Sequence, residues 1–88
     1  MASSKSNWFV YIVEAENGHF YTGITTDLAR RFSEHQNKQT GARFFNTSPA
    51  KKMVFNEPHP DRSTASKREA AIKKLSHKAK IVLIEQQS

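Results

Sequence analysis

Four side chains near the start of the sequence have the chemistry to bind an anion and transfer protons: Tyr11, Tyr21, Arg31 and His35. Phenol and imidazole groups exchange protons, and the planar guanidinium fork suits two oxygens of one phosphate. The tyrosines fall in short aromatic and β-branched segments that predict strands. Taken singly, each of the four is more simply explained as a packing or surface residue. The assignment therefore depends on the elements that bring them together.

The helical period decides which arginine can reach the tyrosines. At about 100° per residue, Leu28, Phe32 and His35 lie on one face of a predicted helix. Arg31 lies on the flank of that face, whereas Arg30 points away from it towards solvent. We therefore expect Arg31 and His35 to share a cleft beside the strands, and Arg30 to lie outside it.

The two tyrosines are expected on a β-hairpin. Its predicted strands are 8–13 and about 20–24. Between them, Asn17 and Gly18 form the strongest short signal for a type I′ turn, whose central residues both need a positive φ. The hairpin therefore presents Tyr11 and Tyr21 on neighbouring strands.

The helix that follows is predicted to be capped by Thr26 or Asp27 and to end near residue 37. Residues 38–50 predict a loop. Within this loop Arg43 precedes two phenylalanines, a combination able to hold a phosphate and stack on bases. The alternative is that one ring closes the core and the other is a surface residue.

A third strand is predicted at 51–56, with Met53 and Phe55 on one face and Val54 on the other. Residues 57–61 predict a loop because they contain two prolines. The sequence therefore predicts three strands, the third of which ends before the prolines.

Two helices are predicted at the end of the sequence. The first runs from residue 63 or 64 to about 75, with an apolar stripe of Ala65, Ile72 and Leu75. Arg68 falls inside this stripe, so we expect it to extend to solvent or to the rim of the active site. The second is capped by Ser76 and covers about 77–86, although its IVLI run is also compatible with a short strand.

Composition limits the possible functions. A chain of 88 residues forms one domain with a small core. The sequence has no cysteine, and its N-terminal residues 1–7 are polar and are expected to be disordered. No run approaches the roughly 20 apolar residues of a membrane span. The lack of cysteine fits a reducing cytoplasm, where we expect the protein to be located. The net charge of +6 favours polyanion binding, although it is also compatible with a solubilising surface.

The ordered motifs resemble the GIY-YIG nuclease superfamily, and in particular its short, stand-alone bacterial branch. Val10-Tyr11-Ile12 and Tyr21-Thr22-Gly23 stand at the two motifs that name the family. Arg31 and His35 follow at the family's spacing, and Glu69 stands where the family has its metal ligand. The sequence departs from the family in lacking the glycine of the first motif.

The resemblance implies an α/β fold, a small three-stranded antiparallel sheet flanked by helices, in one domain spanning 1–88. It also implies a metal-dependent endonuclease that hydrolyses DNA, branched or single-stranded DNA included, in repair or recombination. The implied cofactor is a single Mg²⁺ or Mn²⁺ ion. The implied nucleic-acid contacts are Arg30, Arg43, Lys51, Lys67, Arg68 and Lys73.

The resemblance also assigns roles to five residues. Tyr11 is the candidate general base, Tyr21 positions the water or the phosphate, and Arg31 binds the scissile phosphate. His35 supports the tyrosines or relays a proton, and Glu69 binds the metal ion. Two alternatives remain open for the whole protein: a nucleic-acid-binding module without catalysis, and a scaffold for a protein partner.

A structural alternative also exists for Glu69. It follows Ser66 at the spacing of an S-x-x-E capping box, and in that case it would serve only as a helix cap.

Overall fold

The computed structural model describes residues 7–37 and 49–87. The expectations for residues 1–6 and for Arg43 lie outside these ranges. Three strands and three helices follow one another along the chain: β1 Trp8–Ala15, β2 Phe20–Thr25, α1 Leu28–Asn37, β3 Ala50–His59, α2 Arg62–Lys73 and α3 His77–Gln87.

The strands form one antiparallel sheet in the order β2-β1-β3, which confirms the predicted fold class. The turn between β1 and β2 is at the predicted Asn-Gly pair, and Gly18 has a φ of 88°. The backbone N–H of Gly18 donates to the carbonyl of Ala15 at 2.9 Å, so the central residues of the turn are Glu16 and Asn17. The predicted type I′ turn centred on Asn17 and Gly18 was therefore wrong. The most buried strand, β1, therefore lies at the centre of the sheet.

Alternate residues of β1 face two different helical layers. On the first side, which we call the α2 face, Val10 and Ile12 pack with Phe55 and with Ala65 and Ile72 of α2. Side chains of α3 pack against the same cluster.

On the second side, which we call the α1 face, Tyr11 and Val13 pack with Leu28 and Phe32 of α1 and with Met53 of β3. The sheet is therefore covered on both sides.

Two predictions for β3 were wrong. The strand continues through Pro58, which pairs with Phe9, because β3 is an edge strand where a missing N–H costs no ladder bond. Its register also shifts: Ile12 pairs with Phe55, but Val13 pairs with Met53. The β-bulge left by the extra residue turns Met53 to the α1 face and Phe55 to the α2 face, so these two side chains do not share a face.

Helix α2 begins at Arg62, slightly earlier than predicted, because Asp61 is its N-cap and accepts a hydrogen bond from the N–H of Thr64 at 2.9 Å. Ser66 is therefore inside the helix, which removes the capping-box explanation for Glu69. Leu75 was wrongly placed in the apolar stripe, since α2 ends before it and the side chain is 38% exposed.

The last predicted element is a helix and not a strand. Ser76 caps α3 through its hydroxyl, which accepts from the N–H of Ala79 at 3.1 Å. The His77 ring stacks on Phe20 at 4.7 Å and holds Nε2 3.1 Å from the carbonyl of Gly18. These contacts attach α3 to the hairpin. None of the helices in the described ranges is long and apolar enough to cross a membrane.

Candidate active site

The centre of the site is the phenol of Tyr11, which is buried on the α1 face. Its hydroxyl oxygen lies 2.9 Å from Nε2 of His35 on α1. On β2, Gly23 is the register partner of Tyr11. A Cβ at this position would lie only 2.6 Å from the Tyr11 oxygen, so the glycine of the second motif leaves the space that the phenol occupies.

Arg31 reaches the same phenol from the flank of α1. Its guanidinium donates a hydrogen bond to Tyr11, since arginine has no acceptor. A second bond runs from Nη1 to Oε1 of Glu34 at 2.9 Å. The side chain is 28% exposed. Arg31 is therefore oriented by two partners and still accessible to an anion from solvent.

The ring of Tyr21 completes the group. Its centroid lies 5.2 Å from that of His35 in an edge-on arrangement and 6.3 Å from that of Tyr11. Tyr21 is half-buried, whereas His35 is fully buried. The structure therefore brings together four of the five predicted site residues, which we call the Tyr11 cluster: Tyr11, Tyr21, Arg31 and His35.

Burial sets the protonation state of the Tyr11 cluster. It raises the pKa of Tyr11 to about 12, although hydrogen bonding to Arg31 opposes the shift. Burial also lowers the pKa of His35 to about 4, and the positive charge of Arg31 adds to this effect. At neutral pH the phenol is therefore protonated and the imidazole is neutral.

Glu69 approaches from the other helical layer. It is on α2, whose buried side chains pack on the α2 face, and its carboxylate lies 3.2 Å from Nζ of Lys73. The side chain is 22% exposed, and its negative charge contributes to the raised pKa of Tyr11. Glu69 is therefore within electrostatic range of the phenol.

The donor set can be compared with what different metals require. Within 7–37 and 49–87, no three His, Cys, Asp or Glu side chains come together as a metal cage. Structural zinc needs four protein ligands, whereas Mg²⁺ commonly takes one or two carboxylates and retains several waters. The half-buried carboxylate of Glu69 therefore fits a largely hydrated Mg²⁺ or Mn²⁺ ion and does not fit a closed metal site.

The predicted nucleic-acid contacts are distributed over α1, β3 and α2. Lys51 and Lys67 are exposed. The other three described residues form ion pairs: Arg30 with Glu34 at 3.2 Å, Arg68 with Glu57 at 3.1 Å, and Lys73 with Glu69. Arg68 thus extends from α2 to an acidic partner on β3, which explains how its charge is accommodated near the apolar stripe.

Sequence reasoning missed the role of Glu34. Its two carboxylate oxygens accept hydrogen bonds from Arg30 and Arg31. Glu34 therefore orients Arg31, the candidate for binding the phosphate. The signal was present as i,i+3 and i,i+4 spacing on one helix. It was weak, because such pairs occur on many solvent-exposed helices.

Related proteins carry the same domain. The GIY-YIG catalytic domain family matches residues 7–81. A UPF0213 protein of Desulfotalea psychrophila is 49% identical over 77 residues, which are 88% of this chain and 70% of that protein. A UPF0213 protein of Xanthomonas axonopodis is 40% identical over 80 residues, 91% of this chain and 78% of that protein.

Solved structures agree with this relationship. The solution NMR structure of a protein from E. faecalis has a TM-score of 0.61 and 39% identity, covering 98% of this chain and 90% of that chain. The structure of a UPF0213 protein from Bacillus halodurans has a TM-score of 0.58 and 31% identity, covering 91% and 84%. Because the family model matches most of its length, this chain belongs to the GIY-YIG family, which is of the nuclease type.

Proposed function

We propose that this protein is a metal-dependent endonuclease that hydrolyses phosphodiester bonds in DNA. One observation carries the proposal: the buried phenol of Tyr11 is hydrogen-bonded to Arg31 and lies 2.9 Å from Nε2 of His35. A phosphate bound by Arg31 would lie beside a phenol and imidazole pair that can exchange protons. This arrangement combines charge stabilisation with general base catalysis.

Arg31 is the phosphate-binding residue of the proposal. Its planar fork suits two phosphate oxygens, and its partial exposure gives an anion access. Glu34 and Tyr11 hold the guanidinium in place before the substrate arrives. Orientation by two partners reduces the entropy lost when the phosphate binds.

Tyr11 and His35 would move the proton together. As the oxygen of water attacks phosphorus, its proton passes to Tyr11, and the hydroxyl proton of Tyr11 passes to Nε2 of His35. The bond from phosphorus to the leaving oxygen then breaks, and the imidazolium returns its proton to that oxygen by way of solvent. In the resting site the pKa values of about 12 and about 4 oppose this transfer. Negative charge developing on the phosphate favours the imidazolium.

Tyr21 and Glu69 have supporting roles. The ring of Tyr21 packs against His35 and positions the water or the phosphate. Glu69 would hold a hydrated Mg²⁺ or Mn²⁺, which when bound supplies positive charge for the phosphate and the leaving oxygen. We extend the proposal to a cytoplasmic role in DNA repair or recombination, where branched and single-stranded DNA are substrates.

The second candidate is a nucleic-acid-binding module without catalysis. It is favoured by one specific observation, the ion pair between Glu69 and Lys73, which occupies the carboxylate that would hold the ion. Both candidates predict DNA affinity that falls steeply with salt, because Lys and Arg contacts to phosphate release counterions.

Cleavage assays separate the two candidates. Single-stranded, nicked, branched and duplex DNA are incubated with the protein in Mg²⁺ or Mn²⁺, with EDTA as the metal-free comparison. Arg31→Lys keeps the charge but loses the planar fork, and we expect cleavage to fall about 100-fold or more. Lys78→Arg is the control, since this exposed cation lies on α3, outside the Tyr11 cluster.

The endonuclease is supported if the wild-type protein and the Lys78→Arg variant both cleave DNA and the Arg31→Lys variant does not. Salt-sensitive DNA binding by a wild-type protein that cleaves none of the substrates supports the binding module instead. Equal cleavage by the two variants would remove Arg31 from the mechanism.

A further inference from the structure

A cavity of about 290 Å³ lies beside the Tyr11 cluster, at the end of the sheet where α1 begins. Apart from Arg31 and Glu34, the residues that line it have no role in the chemistry proposed above. Its lining includes one aromatic, one aliphatic, two cationic and two acidic side chains: Trp8, Ile24, Arg30, Arg31, Asp27 and Glu34.

Arg31 connects the cavity to the proposed chemistry. Its guanidinium is hydrogen-bonded to Tyr11, and the same residue lines the cavity. A ligand in the cavity would therefore be next to a phosphate held by Arg31. In a nucleic acid, the group next to a backbone phosphate is a sugar and its base.

The charges of the cavity cancel. The carboxylate of Glu34 receives both Arg30 and Arg31, at 3.2 and 2.9 Å. The carboxylate of Asp27 accepts the backbone N–H of Arg30 at 3.1 Å. Inside the cavity the two carboxylates offset the two guanidinium groups, and together they offer acceptors and donors to the edge of a neutral heterocycle.

The apolar part of the lining suits a planar ring. Trp8 is half-buried and lines the cavity. The guanidinium of Arg62 lies over its ring at 5.8 Å from the centroid, so a base would stack on the remaining surface of the indole. Bases of single-stranded nucleic acids stack on aromatic side chains with little dependence on sequence. The volume is at the lower end of the range for ligand pockets, which fits one ring system.

We propose that this cavity binds one unpaired nucleobase, that of the nucleotide next to the scissile phosphate. The inference rests on the proposed function and specifies its substrate. A base within a duplex is stacked and paired on all its contact surfaces, so it enters such a cavity only after unpairing. The site therefore selects single-stranded or branched DNA over continuous duplex.

Trp8 provides the probe, because it is the single tryptophan of the sequence. Its fluorescence is followed while a short single-stranded oligodeoxynucleotide is added in EDTA, which prevents metal-dependent cleavage. The comparison ligand is an oligomer of the same length whose nucleotides are abasic, so that the phosphates are kept and the bases are removed. We expect the abasic oligomer to bind roughly fivefold more weakly or worse and to leave the fluorescence of Trp8 nearly unchanged.

Thr26→Phe tests the cavity without removing Trp8. Thr26 is exposed and lines the cavity, so a bulky ring there obstructs the site while leaving the core intact. Ala71→Phe is the control, because Ala71 is equally exposed on α2 and does not line the cavity. We expect Thr26→Phe to lose the preference for the base-containing oligomer and Ala71→Phe to retain it.

Equal affinity of the wild-type protein for the two oligomers would overturn the proposal, as would a preference that Thr26→Phe leaves intact. The result also separates this inference from the nuclease function. If the protein cleaves DNA but binds both oligomers equally, only the proposal of base binding in the cavity is overturned. If it prefers the base-containing oligomer but cleaves no substrate, only the proposed endonuclease activity is overturned.

Discussion

The two faces of the sheet are built differently although one strand, β1, supplies both. Towards α2, Val10 and Ile12 enter an apolar cluster, with the buried hydroxyl of Thr22, the register partner of Ile12, on the same face. Towards α1, the residue between them is Tyr11, which meets the buried imidazole of His35 and the guanidinium of Arg31. We therefore expect the α2 face to contribute mainly to stability and the α1 face to hold most of the side chains of the proposed chemistry.

Buried polar groups on the α1 face are expensive unless they are hydrogen-bonded. The phenol satisfies this condition through Arg31 and His35, and the neutral state of His35 avoids a buried charge. On the α2 face, removal of apolar surface from water supplies the stabilisation instead. Substitutions on the two faces should therefore have separable effects, which the following predictions use.

The largest expected effect is that of Tyr11→Phe on the α1 face. The variant keeps the ring but removes the oxygen that bonds to Arg31 and His35. We expect the cleavage rate to fall about 10²- to 10⁴-fold, the range of a general base. Single-turnover kinetics at saturating DNA measure it. A rate within a factor of two of the wild type would exclude Tyr11 as the base.

Ile72→Ala, on the α2 face, should lower stability and leave the cleavage rate unchanged. Ile72 is fully buried, and its truncation should lower the free energy of unfolding by about 2–5 kcal/mol. The cleavage rate per folded molecule should stay near that of the wild type. Urea unfolding and single-turnover cleavage of the same preparation test both statements. A rate loss comparable to that of Tyr11→Phe would show that the two faces are not separable.

The α1 face should also make stability depend on pH. The pKa of His35 is lowered in the folded protein from 6.5 to about 4, so the unfolded chain binds the extra proton first as the pH falls. Stability from this group is complete above about pH 6.5 and is lost as the pH falls to about 4, by about 3 kcal/mol in total.

The measurement is urea unfolding across that pH range for the wild type and for His35→Gln. We expect the difference between their stabilities to shrink towards low pH. The exposed Asp61 also has a lowered pKa, and because both proteins carry it, its contribution cancels in the difference. A difference that does not change with pH would contradict a neutral, buried His35.

A smaller effect is expected of Gly23→Ala. The new Cβ would meet both the oxygen and the ring carbon Cζ of Tyr11, at 2.6 and 2.9 Å, so the buried phenol must move. We expect a stability loss of about 1–3 kcal/mol together with reduced cleavage. Gly18→Ala is the control, because its cost comes from a φ of +88° in open space. It should lower stability while leaving cleavage unchanged.

Much of this arrangement was predictable from the sequence. The Asn-Gly turn, the alternation along β1 and the period of α1 predicted the hairpin and brought Arg31 and His35 to one side. The edge position of β3 was not predictable, and so the extension through Pro58 was missed. The β-bulge opposite Val13 was not predictable either, because one inserted residue exchanges the faces of a strand without changing its composition.

The protonation state of the Tyr11 cluster could not be predicted from the sequence either. The resemblance assigned Tyr11 as the general base without indicating the pKa of its phenol. The structure shows that burial outweighs Arg31 and raises the pKa. Desolvation depends on the helix packed above the residue, which a local motif does not specify. The contribution of Glu69 depends in the same way on how α2 packs.

The central claim is that Glu69, supplied by the helix of the α2 face, completes the catalytic group on the α1 face. Glu69→Gln tests it, because it removes the charge while nearly preserving size. Glu85→Gln, on an exposed position of α3, is the matched control. Stability should change by no more than about 0.5 kcal/mol in either variant.

The decisive measurement is the single-turnover cleavage rate of Glu69→Gln in Mg²⁺ or Mn²⁺, with DNA affinity in EDTA measured alongside. We predict that cleavage collapses while metal-free DNA binding survives or improves slightly, since a negative charge is lost. Glu85→Gln should cleave like the wild type. Wild-type cleavage by Glu69→Gln would contradict the account and confine the chemistry to the Tyr11 cluster.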